Sequence, residues 1–537
     1  MAKKTLYHNG IILTVDSEDF VAGAVLTEDG TIVAVGDKGE LEAQADEIRD
    51  LRGQTMIPAF IDPHGHYPDS GILALCRVDL SGTPLGSCNT IAELLKRLSA
   101  RAAETPKGEW ILGGMFDQIA VAEQRFPTCA ELDGVSTDHP IWVGHFTGHA
   151  GATNSLGLQA RGINRDSEDP RGGRFGRDEN GDLDGLLDGM TAMGELGDGE
   201  FQITSDKFHA ACKVAAEEYL SHGVSLAQNA WAPETMLKLF SDVAASRDDI
   251  GIDVIVLPAA HMEPALSAGE RDVSFPGNTR IKLGPRKLFS DGSFNLQTAC
   301  ITEPYYKPFN GDPEHRGNLA VTVEGMTKHV GALHDAGHQV HVHANGDAAA
   351  DVMLDAFENV LKASPRDDHR HTFIHCQNYR DDQLDRMMEL GLVCSFFPAH
   401  LHYWGDMHID ITFGPERVKR MCPLRAAADR GMRFTIHNDA TVTPTRPLHL
   451  MWCAVSRVST TGRSLGEEQR ITPAEALRAH TIDAAWQVFE DEERGSIEPG
   501  KRADFAILSE NPLENPTGLK DIQVTQTIVR GETRYKA

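Results

Sequence analysis

Two histidines, His64 and His66, stand at the end of an apolar strand-like segment that begins at Ile57. Side chains at positions i and i+2 leave a strand on the same face, so both imidazoles can reach one metal ion. Two histidines in a surface loop would show the same spacing. The pair therefore predicts a metal site only if further ligands exist elsewhere in the chain.

Three such ligands stand at the ends of later strand-like segments: His343, His375 and Asp439. Neutral imidazole and carboxylate groups suit Zn²⁺, with Mn²⁺ or Fe²⁺ as alternatives. Any one of these residues alone is more often a core or loop group. Three successive segments that each end in a potential ligand predict a shared metal site, because the carboxyl ends of parallel strands meet at one edge.

A lysine extends this set. Lys287 lies in an apolar strand-like segment before Asp291-Gly292. A buried lysine loses its proton readily, because burial disfavours the charged form. The free amine could bind one metal, or take up CO₂ and bridge two metals as a carbamate. A lysine whose head reaches solvent fits the spacing equally well, and Lys282 is an equal candidate.

Charge and composition exclude several classes of protein. The 537 residues include 51 Lys+Arg and 79 Asp+Glu, which gives a net charge of −28. This acidity excludes a nucleic-acid-coating protein. No apolar run is long enough to span a membrane and no signal core follows the N-terminus, so we expect a cytoplasmic protein without a membrane partner. The odd count of 9 cysteines, without a CxxC pair, argues against disulfides and against cysteine-bound zinc.

The elements that would position these ligands alternate between strand and helix from about residue 324 to residue 437, with a glycine after most helices. Such repeats predict an α/β fold, and their number favours a (β/α)₈ TIM-like barrel. Both ends of the chain are β-rich, with hairpin signals at Asn9-Gly10 and Asp29-Gly30. We therefore predict a small β-sandwich domain built from both termini.

The predicted domain boundaries follow from these patterns. Residues 1–54 and 490–537 form the sandwich, and residues 55–489 form the barrel. An insertion at about 70–205 covers the barrel mouth, with a loop or hairpin at 166–189. A capping box at 472–475 begins a helix that continues to about residue 488.

Several motifs together resemble the amidohydrolase superfamily. Within it they are similar to the amidohydrolase-3 branch, which includes YtcJ-like proteins and N-substituted formamide deformylase. The resemblance covers nearly the whole chain. The matching segments are Pro58-Ala-Phe-Ile-Asp-Pro-His-Gly-His66, Lys287-Leu-Phe-Ser-Asp-Gly-Ser293, His343-Ala-Asn-Gly-Asp347, His375-Cys-Gln377, Asn438-Asp439, Gly148-His149 and the Gly495–Asp504 segment.

The resemblance implies a set of roles. One metal would be bound by His64, His66 and Asp439, a second by His343 and His375, and a carbamylated Lys287 would bridge them. It also implies one or two zinc ions and a homodimer. The chain departs from the usual pattern at Ile374, at His437-Asn438 and at Asn345. These departures weaken any transfer of substrate identity from the branch.

The predicted chemistry is hydrolysis of a C–N bond in a small amide, formamide or cyclic amide by metal-activated water. Asp439 would move the proton. The candidate substrate contacts are His149, Asn345, His400 and His402. Two alternatives stay open: a non-hydrolytic metal enzyme, such as a hydratase, isomerase or decarboxylase, and a non-catalytic binding or regulatory protein.

Overall fold

The computed structural model describes residues 3–170, 173–194, 203–246, 249–260, 275, 278–309, 311–319 and 321–537. Within these ranges, no helix combines the length and the apolar character that crossing a bilayer requires. The strands are β1 (Lys4–Leu13), β2 (Val21–Glu28), β3 (Thr31–Gly36), β4 (Glu47–Asp50), β5 (Thr55–Pro58), β6 (Phe60–Ile61), β7 (Val78–Asp79), β8 (Ile111–Phe116), β9 (Ile141–His145), β10 (Ala150–Thr153), β11 (Arg174–Arg177), β12 (Leu183–Asp188), β13 (Val224–Ala232), β14 (Asp253–Pro258), β15 (Ile281–Leu283), β16 (Arg286–Phe289), β17 (Val340–Ala344), β18 (Thr372–His375), β19 (Val393–Phe396), β20 (Phe434–Ile436), β21 (Phe505–Leu508), β22 (Val524–Val529) and β23 (Glu532–Lys536).

The helices lie between and after these strands. Their bounds are Lys38–Leu41, Asp69–Cys76, Ile91–Glu104, Cys129–Asp133, Ser155–Ala160, Met190–Gly194, Ser205–Ser221, Glu234–Ser246, Val323–Asp335, Asp347–Ala363, Asp381–Glu389, Ala399–Tyr403, Gly405–Met407, Gly414–Arg417, Leu424–Asp429, Pro447–Ser456, Pro473–Ala479 and Ile482–Gln487. Short 3₁₀ turns cover Glu42–Gln44, Val418–Arg420, Glu467–Gln469 and Leu519–Asp521, and a π-helical turn covers His408–Thr412.

Two parallel sheets lie at the centre of the fold. β6, β13, β14 and β15 form one parallel sheet, and β16 to β20 form a second in chain order. An isolated parallel bridge between Ala259 and Lys287 links the two sheets. Every residue of β17, β18 and β19 is buried, as expected for parallel strands covered on both faces. The α/β class predicted from the sequence is confirmed.

The helices that cover these strands are amphipathic. In Asp347–Ala363, the buried side chains Met353, Phe357 and Val360 follow helical spacing and form one apolar face. This helix packs against its neighbour Val323–Asp335. Because the strands within each of these sheets pair in parallel, their carboxyl ends lie at the same edge of the sheet.

The two ends of the chain meet in one eight-stranded mixed sheet, in the order β23-β22-β21-β5-β1-β2-β3, with β4 paired to β1. β5 is the link, since it pairs in parallel with β1 and antiparallel with β21. The Asp29-Gly30 turn between β2 and β3 is confirmed. The closed barrel, the two-layered sandwich and the domain boundaries stay predictions.

The segment between β6 and β13 adds a six-stranded sheet in the order β11-β12-β10-β9-β8-β7. The expected hairpin at residues 166–189 is present as β11 and β12. This region contacts the second parallel sheet's loops: Trp404 Nε1 donates to Asp117 Oδ2 at 3.1 Å, and Phe146 stacks on Trp404 with ring centroids 4.8 Å apart.

Two local predictions are wrong. The Asn9-Gly10 hairpin does not form, because β1 runs straight through this dipeptide. Asn9 adopts φ 60° where the pairing with β2 shifts register, and a side chain at position 10 would meet the Gln54 carbonyl oxygen at 2.3 Å. The helix predicted to reach residue 488 is broken in two, because the His480 carbonyl accepts a hydrogen bond from Ile61 N at 2.9 Å instead of continuing the helix.

Candidate metal centre

The predicted ligands come together at the carboxyl ends of the parallel strands. His64 and His66 follow β6, Lys287 lies within β16, and His343 lies near the end of β17. His375 is the last residue of β18, and Asp439 follows β20. Each strand thus presents one or two polar groups at the same edge of the fold.

Short distances connect all six groups. His64 Nε2 lies 3.4 Å from Lys287 Nζ and 3.5 Å from Asp439 Oδ1. His66 Nε2 lies 3.2 Å from Asp439 Oδ1, and His375 Nδ1 lies 4.0 Å from Asp439 Oδ2. His375 Nε2 lies 3.0 Å from His343 Nδ1. Asp439 is therefore the centre of the cluster.

The tightest group within the described residues is His64, His375 and Asp439, whose ligand atoms all lie within 4.8 Å of one another. This trio differs from the pairing that the sequence resemblance implies, because His375 is close to the Asp439 carboxylate as well as to His343. One metal bound by these three, or two metals that share Asp439, both fit this placement.

Unpaired buried atoms show that the donor set fits a metal. Among the described residues, His64 Nδ1 and Asp439 Oδ1 have no hydrogen-bond partner. His66 Nε2 is close to Asp439 Oδ1, but the approach makes no hydrogen bond. Buried polar atoms without partners are costly. A cation beside Asp439 Oδ1 would satisfy that oxygen, and His64 Nε2, 3.5 Å away, is the imidazole nitrogen that faces it. Imidazole and carboxylate are common zinc ligands.

Electrostatics keep three of the four predicted ligand imidazoles neutral. In the fourth, His66, burial would lower the pKa, but the Asp439 carboxylate outweighs it and raises that pKa. Burial, supported by neighbouring cationic groups, lowers the pKa of His64, His343 and His375 well below the ordinary value. Burial would raise the pKa of Asp439, but nearby His66 outweighs it and holds that pKa at about 2. Neutral nitrogens and an ionised carboxylate are the forms that coordinate metal.

Lys287 and Lys282 were equal candidates by spacing, and their surroundings separate them. Burial lowers the pKa of Lys287 to about 7, so a neutral amine is accessible near neutral pH. The Lys282 side chain is 44% exposed and pairs with Glu490 at 2.6 Å. Only Lys287 lies beside the predicted ligands, since it contacts His64.

Two of the four candidate substrate residues lie beside His343. Asn345 Nδ2 donates to the Gly292 carbonyl at 2.8 Å and lies 3.2 Å from His343 Nε2. The ring of His149 is 5.5 Å from that of His343, and burial lowers the pKa of His149 to about 4. The segment between β6 and β13 thus brings a neutral histidine to the ligand cluster.

The other two candidates lie in a helix after β19. His400 is buried, its ring lies 5.2 Å from that of Phe397, and its Nδ1 lies 2.7 Å from His408 Nε2. His402 lies elsewhere: its Nδ1 hydrogen-bonds the Val458 carbonyl at 3.0 Å and its ring packs against His449 and Trp452. The structure does not bring His402 to the cluster.

Sequence reasoning missed two buried carboxyl groups that support the cluster. Asp291 accepts backbone hydrogen bonds from Asn345, Gly346 and Cys300, and burial raises its pKa to about 7 despite them. Asp62 accepts from the backbone N–H of His64 at 3.3 Å, and burial also raises its pKa to about 7. The Asp291-Gly292 and Asp62-Pro63 dipeptides at strand ends were the available signals.

The backbone at the cluster is strained. His375 has φ 83°, Cys376 has φ 47° and Asp439 has φ 51°, all in a region that residues other than glycine seldom occupy. Such conformations persist where the surrounding structure holds them, and they concentrate at functional sites.

Known proteins with similar sequences or structures include hydrolases. The sequence model of the amidohydrolase family matches residues 47–535. N-substituted formamide deformylase from Arthrobacter pascens is 28% identical over 559 aligned residues, covering 98% of this chain and 97% of that protein. Putative amidohydrolase YtcJ from Bacillus subtilis (strain 168) is 26% identical over 560 residues, with 99% of each covered. An uncharacterized metal-dependent hydrolase from Pyrococcus horikoshii OT3 superimposes with a TM-score of 0.76 at 25% identity, covering 96% of this chain and 99% of that one.

Proposed function

We propose a specific reaction for this chain, which belongs to the amidohydrolase family. It is a metal-dependent hydrolase that opens a C–N bond in a small amide, formamide or cyclic amide. The observation that carries the proposal is the convergence of His64, His375 and Asp439 from three separate strands. The similarity to N-substituted formamide deformylase supports the choice of a C–N bond.

The metal would be Zn²⁺, with Mn²⁺ or Fe²⁺ as alternatives, in one or two copies. His64, His66, His343, His375 and Asp439 would hold it, with Lys287 as an amine or carbamate ligand. When bound, the ion supplies the Lewis acidity that activates water and polarises a carbonyl group. The neutral state of His64, His343 and His375 supports this assignment for those three residues.

Asp439 would act as the proton carrier. Its carboxylate is ionised and one oxygen is free of hydrogen bonds among the described residues. It can take a proton from the attacking water and deliver it to the leaving nitrogen, which completes the hydrolysis without a separate general acid. His66, 3.2 Å away, would stabilise the carboxylate and orient it.

His149, Asn345 and His400 would contact the substrate. His149 and Asn345 lie beside His343 on the side of the insertion. His400 is held through Nδ1 by His408, which leaves Nε2 as the nitrogen for a ligand. A neutral histidine at this position can donate one hydrogen bond to a substrate oxygen.

We also propose that the two parallel sheets close into a (β/α)₈ barrel. The bridge between Ala259 and Lys287 joins the sheets on one side. On the other side, Asp439 N donates to the His64 carbonyl at 3.2 Å and His66 N donates to the Ala440 carbonyl. The proposal also includes a sandwich domain built from both chain ends and an insertion over the barrel mouth. We further propose that the protein acts on a small-molecule partner as a homodimer.

The test combines metal analysis with product analysis. We expect about one or two ions per purified chain, and turnover of at least one compound in a panel of formamides, amides and cyclic imides. Hydrolysis in H₂¹⁸O must place one heavy oxygen in the acid product. His64→Ala should lose the metal and the activity, whereas Lys282→Met, changed at an exposed position, should retain both.

Other outcomes would replace the proposal. A product with the mass of the substrate identifies an isomerase, loss of CO₂ identifies a decarboxylase, and addition of water without cleavage identifies a hydratase. Less than about one ion per chain, with no activation by zinc or manganese, supports a non-catalytic binding or regulatory protein.

A further inference from the structure

A cavity lies where the segment between β6 and β13 meets the helix Ala399–Tyr403, and none of the roles above uses it. The apolar part of its wall is supplied by Leu85, Met115, Phe146, Tyr403 and Trp404. Among the described residues that line it, Asp117 is the only one with a charged side chain. The room inside, about 20 Å³, is enough for one group of the size of a water molecule.

The cavity adjoins the candidate metal centre through the residues that follow Asp439. Thr441 Oγ1, two residues after Asp439, donates to Met115 Sδ at 3.3 Å. Val442 N donates to the Asp439 carbonyl at 2.7 Å, and the Val442 side chain packs against the apolar cluster that contains Phe146. The cavity wall and the metal centre therefore share one short segment of the chain.

His400 forms a second link between the cavity and the metal centre. Its ring lies 4.6 Å from that of Trp404. Burial lowers the pKa of His400 to about 3, and the Asp439 and Asp117 carboxylates are both near enough to oppose that shift. A ligand that reaches from the metal centre to Asp117 would thus extend past His400, which is already a proposed substrate contact.

Hydrogen bonds fix the Asp117 carboxylate at the cavity. The residue is buried, its Oδ1 accepts from Ile119 N at 2.9 Å, and its Oδ2 accepts from Trp404 Nε1 at 3.1 Å. A carboxylate offers about four acceptor positions. These two bonds therefore leave room on the oxygens for a further donor.

Asp117 is ionised but has only a weak counter-ion. Burial would raise its pKa, but His145 and the hydrogen-bond donors around the carboxylate outweigh burial and hold the pKa below its ordinary value. Within the described ranges, the one basic side chain in ion-pair range is His145, whose Nε2 lies 3.9 Å from Asp117 Oδ1 and makes no hydrogen bond. A buried charge without a full partner is costly.

Asp253 shows how this fold pairs a buried carboxylate that has a structural role. It is also buried, and its pKa is also held below the ordinary value. Its ion-pair partners are Arg280, Arg494, Arg502 and Arg530. In the described part of the chain Asp117 has no arginine or lysine in such a position, and it lines a cavity instead.

We propose that Asp117 binds a primary ammonium group of the substrate, so that the enzyme prefers small amides with such a group on a chain away from the scissile bond. This inference rests on the proposed hydrolysis at the metal centre. An ammonium group donates up to three hydrogen bonds and fits a water-sized space. An analogue without the charge would leave the buried carboxylate unpaired, which is a strong source of discrimination.

The test compares two probes that differ only in charge. Mono-N-formylated diaminoalkanes of graded chain length carry the ammonium group, and N-formylalkylamines of the same length carry a methyl group in its place. The ratio of their kcat/KM values is measured for the metal-loaded wild type, Asp117→Asn, Asp117→Glu and Asp138→Asn. Asp117→Asn removes the charge at nearly the same volume and keeps one oxygen acceptor. Asp138 is the matched control, because it is half exposed and pairs with Lys107.

We expect the wild type to prefer the ammonium probe at one or more chain lengths. Asp117→Asn should lower this preference about 10- to 100-fold, the range for loss of a hydrogen bond to a charged group. Asp117→Glu should recover part of the preference, and Asp138→Asn should match the wild type. Circular dichroism establishes that each variant is folded.

Two results would overturn the inference. The first is a wild type that shows no preference for the ammonium probe at any chain length. The second is an equal loss for both probes in Asp117→Asn, because it would indicate that Asp117 only holds Ile119 and Trp404 in place.

Failure of the underlying proposal looks different. Should the wild type cleave neither probe, the ratio is taken instead from calorimetric binding of the same two probes to the same variants. A binding preference that Asp117→Asn removes keeps the ammonium site, even where no compound of the amide panel is cleaved and the hydrolysis is rejected. Equal or undetectable binding of both probes rejects the ammonium site, whatever the panel shows.

Discussion

Two buried histidine clusters lie at opposite ends of the same parallel strands, and they use their ring nitrogens differently. The carboxyl-end cluster is the candidate metal centre described above. The amino-end cluster consists of His334, His369 and His371, with Arg366 beside them. Strand β18 connects the two, because His371 precedes it and His375 ends it.

In the amino-end cluster every ring nitrogen has a partner. Val340 N donates to His371 Nδ1 at 3.0 Å, so the proton of His371 is on Nε2 and points to His334 Nδ1 at 2.9 Å. His334 Nε2 then donates to the Ser364 carbonyl at 2.8 Å. His369 accepts from His371 N and donates to the Leu390 carbonyl. These imidazoles join strands to helix ends and have no nitrogen left for a ligand.

The carboxyl-end cluster has the opposite character. It combines imidazoles with a carboxylate and a lysine, and several of its buried polar atoms are unpaired within the described ranges. Burial lowers the pKa of His371 in the amino-end cluster and that of His375 in the carboxyl-end cluster, so protonation does not separate these two residues. What separates a structural histidine from a candidate ligand here is whether its nitrogens are already satisfied and whether a carboxylate is close.

The largest effect on metal content should come from comparing two histidine variants at opposite ends of β18. His375→Ala should reduce bound metal from about one or two ions per chain to none, because it removes a nitrogen of the tightest group. His371→Ala, four residues earlier, should keep the full metal content. Metal analysis of both folded variants is the measurement. Equal metal loss in the two variants would erase the distinction between the clusters.

The carboxylate is the second point of difference, and Asp439→Asn tests it. We expect the variant to retain metal through its histidines but to lose about 10²–10⁴-fold in rate, the range for removal of a proton-transfer group. Metal content and kcat are measured on the same preparation. Loss of metal in parallel with the rate would make Asp439 chiefly a ligand, and an unchanged rate would remove it from the mechanism.

The amino-end cluster should instead control stability. His371→Ala leaves the Val340 N–H and His334 without their partners and opens a small cavity. We expect a loss of about 2–4 kcal/mol in the free energy of unfolding, measured by urea denaturation of the metal-free protein. His375→Ala serves as the counterpart, and it should cost less stability in the absence of metal. The reverse order of the two losses would contradict the structural role of His371.

The sequence predicted one of these clusters and not the other. His375 could be identified because it ends a strand-like segment, as do His343 and the residues before Asp439. The role of His371 depends on the register between β17 and β18 and on the end of a helix, which spacing along the chain does not reveal.

The same limit applies to the fold. Alternating strands and helices with glycine caps were sufficient to predict the α/β class. The Asn9-Gly10 hairpin failed because a local turn signal cannot report the contact with Gln54 that keeps β1 continuous. Lys287 and Lys282 were equivalent by spacing, and only the burial of one and the Glu490 partner of the other distinguish them.

The smallest predicted effect is a pH dependence of stability that arises from the buried Lys287. Burial lowers the pKa of Lys287 from 10.5 to about 7. Between these values the unfolded chain binds a proton that the folded chain does not, so the free energy of unfolding must rise with pH. A single group gives a slope of up to about 1.4 kcal/mol per pH unit, or about 2–3 kcal/mol between pH 7.5 and 9.5.

This rise is measured by urea unfolding of chelator-treated protein in CO₂-free buffer, so that neither metal nor carbamate changes the amine. Lys287→Met removes the titrating group, and its stability should be flatter over this range than that of the wild type. Lys282→Met, changed at the exposed lysine, should keep the wild-type slope. Parallel curves for wild type and Lys287→Met would mean that Lys287 is protonated in the folded protein. An ammonium beside His64 would repel a cation, so the carboxyl-end cluster would then lose its sixth predicted ligand.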